Sequence, residues 1–162
     1  MDKHLIDVGW AEWLTIPELG IPYIAAKIDT GARTSCLHTF SVDAFERRGE
    51  TWLRIGLHPI KGNSDIEIWR EIKAKEQRAV TDSGGHTEQR WVVELDLVIA
   101  GQTIRADVTL TNRDNMAYRM LLGRTAMTKR IRVNPGSKWL CGTPSNAELE
   151  EAKVRWQGLP AT

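Results

Sequence analysis

A short apolar run, Ile24-Ala25-Ala26-Lys27-Ile28, leads the chain into Asp29-Thr30-Gly31, and small and hydroxyl residues follow as far as Leu37. An aspartate at the end of a buried strand is costly unless its charge is paired, shared or used. The fold must therefore close this strand on a tight loop and give the carboxylate a purpose. Gly31 lets the backbone turn sharply without a Cβ. Thr30 can hydrogen-bond within its own turn and help fix the loop. Asp29 is the candidate catalytic carboxylate, with Thr30 and Gly31 shaping its surroundings. Asp-Thr-Gly alone is common as an ordinary turn, so the remainder of the chain has to support this reading.

Two further stretches do so. Met120-Leu121-Leu122-Gly123-Arg124 is an apolar strand that ends in Gly-Arg and runs into a short helix-like segment, Thr125 to Lys129. Val80 to Val93 has Ser83-Gly84-Gly85 at its centre between apolar ends, which reads as a hairpin.

Together these motifs resemble the retropepsin-like aspartic peptidases, in which a strand ending in DTG-A is followed by a Gly-rich flap hairpin and then by apolar-apolar-Gly-Arg before a helix. The matching residues are Asp29-Thr30-Gly31-Ala32, the Ser83–Gly85 hairpin and Leu121-Leu122-Gly123-Arg124. The chain is closer still to a bacterial branch often labelled ATP-dependent zinc protease, through Ala26-Lys27-Ile28-Asp29-Thr30-Gly31-Ala32-Arg33-Thr34-Ser35-Cys36-Leu37-His38 and Asn112 to Ala126. The resemblance covers roughly Trp10 to Gly142. It implies a mostly β chain: a retropepsin-like closed β-barrel, the acid-protease fold, with a short helix after Leu121-Leu122-Gly123-Arg124 and a C-terminal helix. The expected division is a single domain over 1–144, then a helix and tail over 145–162. The interval between DTG and flap is longer than in viral relatives, so it must hold an insertion.

At 162 residues and a formal net charge of +1, the chain is long enough for one domain with a real core, and the charge argues against general nucleic-acid binding. No apolar stretch reaches the length of a membrane span, and the start has no signal-peptide pattern. Cys36 and Cys141 are read as free thiols, which fits the cytoplasm.

Elsewhere local patterns predict strands. Prolines 17 and 22 and Gly20 exclude a long helix over Asp7 to Tyr23 and leave short strands with a turn at Glu18-Leu19-Gly20. Leu37 to Phe45 reads as one strand, Thr51 to Leu57 as another, and Ile66 to Val80 as a strand rather than a helix, on near period-two alternation. Arg90 to Ile99 and Ile104 to Leu110 are strands around a turn at Ala100-Gly101-Gln102. Ile131 to Val133 and Trp139-Leu140 are expected to pair across Asn134-Pro135-Gly136. Ser145-x-x-Glu148 is a helix capping box ahead of Leu149, Ala152 and Trp156.

Aspartic peptidases need two carboxylates sharing a proton, because like charges so close cannot both ionise. This chain has one DTG, so the resemblance implies a homodimer in which Asp29 of each copy meets at a two-fold axis. Asp82 and Asp114 are in-chain alternatives, though neither follows an apolar strand into a Thr-Gly turn. The residues expected at the substrate are Arg33, Thr34, Ser35 and His38 after the carboxylate, Gly84 and Gly85 in the hairpin, and Arg119 and Arg124 around the second motif. Arg33 stands where viral retropepsins usually carry an Asp. Two arginines, Arg33 and Arg124, would then share one cleft and need anions, supplied either by Asp43, Asp107 or Asp114 or by the substrate. Asn115 to Ala147 contains no acidic residue but holds Arg119, Arg124, Lys129, Arg130, Arg132 and Lys138, a candidate basic face. Relatives look associated with ATP-grasp ligases that add glutamates to protein C-termini. The resemblance thus implies an acidic peptide or a glutamate-extended protein tail as partner.

No cofactor and no metal are expected. Cys36, His38, His58 and His86 are the available soft or imidazole ligands, but there is no HExxH motif, no CxxC pair and no GxxxxGK[ST] phosphate loop. Ser35 lacks a His–Asp partnership for serine hydrolysis. The competing class is a non-catalytic module that recognises an acidic tail or regulates a ligase.

Overall fold

The computed structural model of the chain describes residues 5–112 and 117–158. The chain begins with β1 (Ile6–Val8), β2 (Ala11–Ile16) and a 3-10 turn over Pro17–Leu19, then β3 (Ile21–Ile28) and β4 (Ser35–His38). Next come β5 (Ser41–Arg47), β6 (Glu50–Leu57), β7 (Ile68–Lys73), β8 (Glu76–Thr81), β9 (Thr87–Ile99) and β10 (Gln102–Thr111). After residues 112–119 follow β11 (Met120–Leu122), α1 (Arg124–Met127), β12 (Ile131–Val133) and α2 (Asn146–Gln157).

Side-chain alternation drives closure. Along β9, Leu95, Leu97 and Ile99 are buried while Glu94, Asp96 and Val98 between them are partly exposed. Each such burial stabilises the fold by about 1.5–3 kcal/mol. The strands run β10-β4-β11-β3-β2-β9, and β9 pairs back onto β10, so six strands form a closed barrel. The retropepsin-like barrel expected from the motifs is the fold observed. Strand β8 hangs from β9 outside the ring and makes the flap hairpin. Among the described residues no helix is long and apolar enough to cross a membrane.

The insertion forms a three-stranded sheet, β5-β6-β7. Its tip has Arg48 at φ 54° and Gly49 at φ 76°, the paired left-handed residues of a two-residue hairpin. Leu53, Ile55, Leu57, Ile68 and Ile72 bury one face of this sheet within the same core as the barrel. Arg70 Nε donates to the Leu19 carbonyl at 2.6 Å and ties sheet to barrel.

Three local expectations are corrected. Ile66 to Val80 is not one strand: the chain breaks at Ala74-Lys75, so β7 closes the inserted sheet while β8 joins β9 in the flap. Leu37 to Phe45 is not one strand: the chain breaks at Thr39-Phe40, so β4 closes the barrel while β5 joins the inserted sheet. A period-two pattern is blind to which sheet a strand enters. Ile131–Val133 does not pair with Trp139; it lies parallel to β1, with Ile6 opposite Ile131. Trp139 instead donates its backbone N–H to the Ala11 carbonyl at 2.9 Å and stacks on Trp13 at 5.4 Å.

The capping box at the start of α2 is complete: Ser145 Oγ accepts from Glu148 N at 3.1 Å, and Glu148 Oε1 accepts from Ser145 N at 3.0 Å. Ala152 and Trp156 bury the inner side of this helix, and Trp156 Nε1 donates to the Gly20 carbonyl at 3.3 Å. Tyr23 adds a hydroxyl donor to Glu148 Oε2 at 2.7 Å.

Candidate active site

Strand β11 explains why the two long motifs travel together. It lies between β3, which it meets in parallel, and β4, which it meets antiparallel. The Asp29 backbone N–H donates to the Leu122 carbonyl at 2.9 Å, fixing the end of β3. The loop 29–34 then crosses the end of β11. Arg124 N donates to Ala32 O at 2.7 Å, Thr125 N to Arg33 O at 3.0 Å, and Gly123 N to Ser35 Oγ at 2.9 Å. This close crossing is why position 123 is glycine: a Cβ there would stand 2.5 Å from the Thr34 carbonyl carbon.

Within that loop Asp29 Oδ1 accepts from the backbone N–H groups of Gly31 at 2.9 Å and Ala32 at 3.2 Å. The carboxylate is oriented by main chain, with no cation paired to it among the described residues. It opens onto a cleft of about 1270 Å³ that also takes in Arg33, Thr34, Cys36, β8 with the start of its turn, and part of β10. Asp82 and Asp107 line the same cleft. Asp82 Oδ1 is bound by the backbone N–H groups of Gly84 at 2.9 Å and His86 at 3.0 Å, and the His86 ring lies at 3.6 Å. Asp107 is held by Lys75 at 2.9 Å and Arg78 at 3.4 Å. Burial alone would raise the Asp107 pKa, but the hydrogen bonds from Lys75 and Arg78 outweigh it and hold the carboxyl below its ordinary range. Of these three acids, Asp29 alone has no basic side chain within ion-pair distance among the described residues.

The other sequence candidates divide. Arg33 and Thr34 line the cleft with Asp29. Arg33 is exposed, and among the described residues its side chain has no carboxylate partner. Asp107, one of its expected partners, is taken by Lys75 and Arg78, and Asp114 lies outside the described residues. Arg124 sits beside the loop, with Nη1 donating to the Thr30 carbonyl at 3.0 Å. Gly84 and Gly85 shape the flap turn, Gly85 at φ +83°, while Asp82 and Ser83 face the cleft.

Ser35, His38 and Arg119 are turned into the fold. Ser35 is buried under Gly123. His38 is buried and stacks on His58 with ring centres 5.9 Å apart. Arg119 reaches away toward Ser64 Oγ at 3.2 Å and the Ile60 carbonyl at 3.5 Å. The cations of the acid-free stretch do not gather in one face either: Arg132 pairs with Asp7 at 2.6 Å, and Lys138 sits over the Trp10 ring at 5.4 Å. His38 and His58 lie side by side, but among the described residues no group of three His, Cys, Asp or Glu is placed to hold a metal ion.

Sequence reasoning missed the cations that do line the cleft besides Arg33, namely Arg78, Arg90 and Arg105. A signal was available in the repeated Glu-Gln-Arg at 76–78 and 88–90, one copy on each side of the flap turn. Buried Glu12 was also passed over. Its Oε2 accepts from Gly9 N at 2.7 Å and Leu140 N at 2.9 Å, and its Oε1 from Cys141 N at 3.0 Å.

Comparison with known proteins agrees with this geometry. A family model described as RimB-like, retropepsin-like aspartic endopeptidase RimB, matches residues 7–144. A Shewanella pealeana protein named probable alpha-L-glutamate ligase is 39% identical over 151 residues, covering 93% of this chain and 33% of that protein. A Parasynechococcus marenigrum protein of the same name is 41% identical over 150 residues, covering 93% and 32%. The chain thus spans about a third of the length of these curated relatives. Among solved structures, the Legionella pneumophila protein Lpg0085, of unknown function, matches with a TM-score of 0.69 at 26% identity, over 84% of this chain and 98% of that one. On motif, barrel and matched length together, the chain belongs to the RimB-like family of retropepsin-like aspartic endopeptidases.

Proposed function

We propose that the chain is an aspartic-type peptidase in which Asp29 from each of two copies activates water, and that it acts on acidic, glutamate-extended protein tails. The observation that carries this reading is the state of Asp29: a carboxylate lining the cleft, oriented by two backbone N–H groups, with no cation paired to it among the described residues. A carboxylate paired with an arginine would be locked in its ionised form and unable to share a proton.

In the proposed reaction one Asp29 takes a proton from water as the water oxygen bonds to the scissile carbonyl carbon. The protonated Asp29 of the second copy hydrogen-bonds the carbonyl oxygen. Collapse of the tetrahedral intermediate breaks the C–N bond, and the departing nitrogen receives a proton from a carboxyl group. Neither Asp82 nor Asp107 suits the second role: Asp82 lies in the flap turn with the His86 ring 3.6 Å away, and Lys75 and Arg78 hold Asp107. The homodimer follows from that need. The acidic substrate is supported by the arginines around the cleft and by relatives named as glutamate ligases, in which a region like this chain makes up a third of the length.

The test is a peptide ending in six glutamates, incubated with the chain and read by mass spectrometry. Cleavage is expected, and Asp29→Asn should abolish it while leaving binding intact. Cleavage that survives Asp29→Asn would falsify the reading. A second reading, recognition of an acidic tail without cleavage, is favoured by the ligase names of the relatives. It predicts binding by the parent chain and by Asp29→Asn with no product from either.

A further inference from the structure

The flap hairpin carries one tripeptide twice, Glu76-Gln77-Arg78 on β8 and Glu88-Gln89-Arg90 on β9. The antiparallel register sets Arg78 directly opposite Arg90. Residues facing each other in such a ladder lie roughly 4.5–5.5 Å apart at Cα, and like charges so placed repel. Both arginines nevertheless line the cleft that holds Asp29.

Each guanidinium is gripped by the acid two residues before it. Arg78 Nε and Nη2 donate to Glu76 Oε1 at 3.0 and 2.5 Å, and Arg90 Nε donates to Glu88 Oε1 at 2.5 Å. The remaining contacts are weaker. Arg78 Nη2 reaches Asp107 at 3.4 Å, and Arg90 Nη1 points at Cys36 Sγ on β4 at 3.8 Å. Among the described residues neither Arg78 Nη1 nor Arg90 Nη2 has an acceptor. Arg105, by contrast, is shared among Glu18, Glu94 and Asp96. Arg90 is only 8% exposed, so its charge sits where an arriving anion would displace little water.

We infer that Arg78 and Arg90 form one anion clamp, bridged by a single side-chain carboxylate of an acidic peptide lying in the cleft. Selectivity for acid then resides in the flap rather than in Arg33 and Arg124 beside the catalytic loop. Guanidinium groups suit this task, since Nη1 of Arg78 and Nη2 of Arg90 can each donate to one oxygen of the same carboxylate. Glu76 and Glu88 hold the two side chains extended while the pair is empty. The inference rests on the peptidase reading only for the peptide's course through the cleft.

The experiment measures binding in an Asp29→Asn background, by fluorescence anisotropy of labelled hexaglutamate with hexaglutamine as control. The parent should prefer hexaglutamate. Arg78→Gln and Arg90→Gln should each weaken hexaglutamate about tenfold, as expected for a lost charge-assisted contact, and leave hexaglutamine unchanged. Glu76→Gln, which releases Arg78, should tighten hexaglutamate, an outcome a purely structural role for the pair would not produce. Thermal melts identify any variant that fails to fold, and Arg90→Lys keeps the charge where Arg90→Gln unfolds. Hexaglutamate affinity unchanged in both Arg78→Gln and Glu76→Gln, or no preference in the parent, overturns the clamp. Those results leave the peptidase reading standing wherever Asp29-dependent cleavage persists, and arginine-dependent binding without any cleavage would do the reverse.

Discussion

Ser35 Oγ accepts the backbone N–H of Gly123 at 2.9 Å, a side-chain bond that joins the backbone bonds tying the loop that carries Asp29 to the strand that carries Leu121 and Leu122. Both groups are buried. Ser35→Ala would leave the Gly123 N–H without its acceptor, at a cost of roughly 1–3 kcal/mol. Urea unfolding should show that loss, and any peptidase activity should fall with it as the Asp29 loop loosens.

Gly123→Ala should be worse than Ser35→Ala. The added Cβ would lie 2.5 Å from one backbone atom of Thr34 and 2.7 Å from the Ser35 nitrogen, and backbone cannot step aside as a flexible side chain can. The expected destabilisation is about 3 kcal/mol, at the upper end of overpacking. A urea midpoint equal to that of the parent would show that the loop does not need this contact.

Glu12→Gln isolates a buried carboxylate that binds three backbone N–H groups. The amide keeps the shape but turns an NH₂ group toward at least one donor. A loss of roughly 1–3 kcal/mol is expected, with faster amide exchange at Leu140 or Cys141, whichever N–H faces the new NH₂ group. Protection unchanged at both positions would count against Glu12 as the anchor of this segment.

Trp156→Ala removes the largest contact between α2 and the barrel, together with the hydrogen bond to Gly20. Destabilisation of about 3 kcal/mol is expected. Amide exchange should accelerate across Asn146–Gln157 well before it does in β9, because the helix is held by few buried side chains.

Stability should decline as pH falls below about 4. The hydrogen bond from Arg132 lowers the pKa of Asp7, the Ser145 backbone N–H leads the lowering of Glu148, and Asp107 is lowered as described above. Carboxyls depressed in the fold contribute fully above their unfolded values of about 3.9–4.3 and lose that contribution as pH drops through the folded ones. Lys75 behaves oppositely. Its hydrogen bond to Asp107 leads the rise in its pKa, so its contribution disappears only as pH climbs past about 10.4. Thermal melts from pH 7 to 2 should show the acid loss, and high salt should shrink it because these pairs are largely exposed.

Much of the fold was legible residue by residue, for local reasons. Asp29-Thr30-Gly31 and Leu121-Leu122-Gly123-Arg124 marked the loop and strand that meet. The turns at Glu18-Leu19-Gly20 and Ala100-Gly101-Gln102, and the Ser145–Glu148 box, depend on backbone chemistry within a few residues. Apolar alternation in Arg90 to Ile99 is the mark of a strand with one face in a core, wherever that core lies.

Pairing and facing were out of reach of such patterns. Nothing within Ile131–Val133 says that β1, from the opposite end of the chain, will lie beside it. The break at Thr39-Phe40 became a change of sheet only when β4 found β10. Ser35, His38 and Arg119 looked like substrate contacts by proximity in sequence, yet barrel closure turned them inward. Arg78 and Arg90 stood twelve positions apart until the hairpin register set them face to face over the cleft. Local chemistry chose the strands and the acid; which side chains share a wall with Asp29 was set by contacts between distant segments, because burial and register are properties of the closed barrel and not of any one stretch.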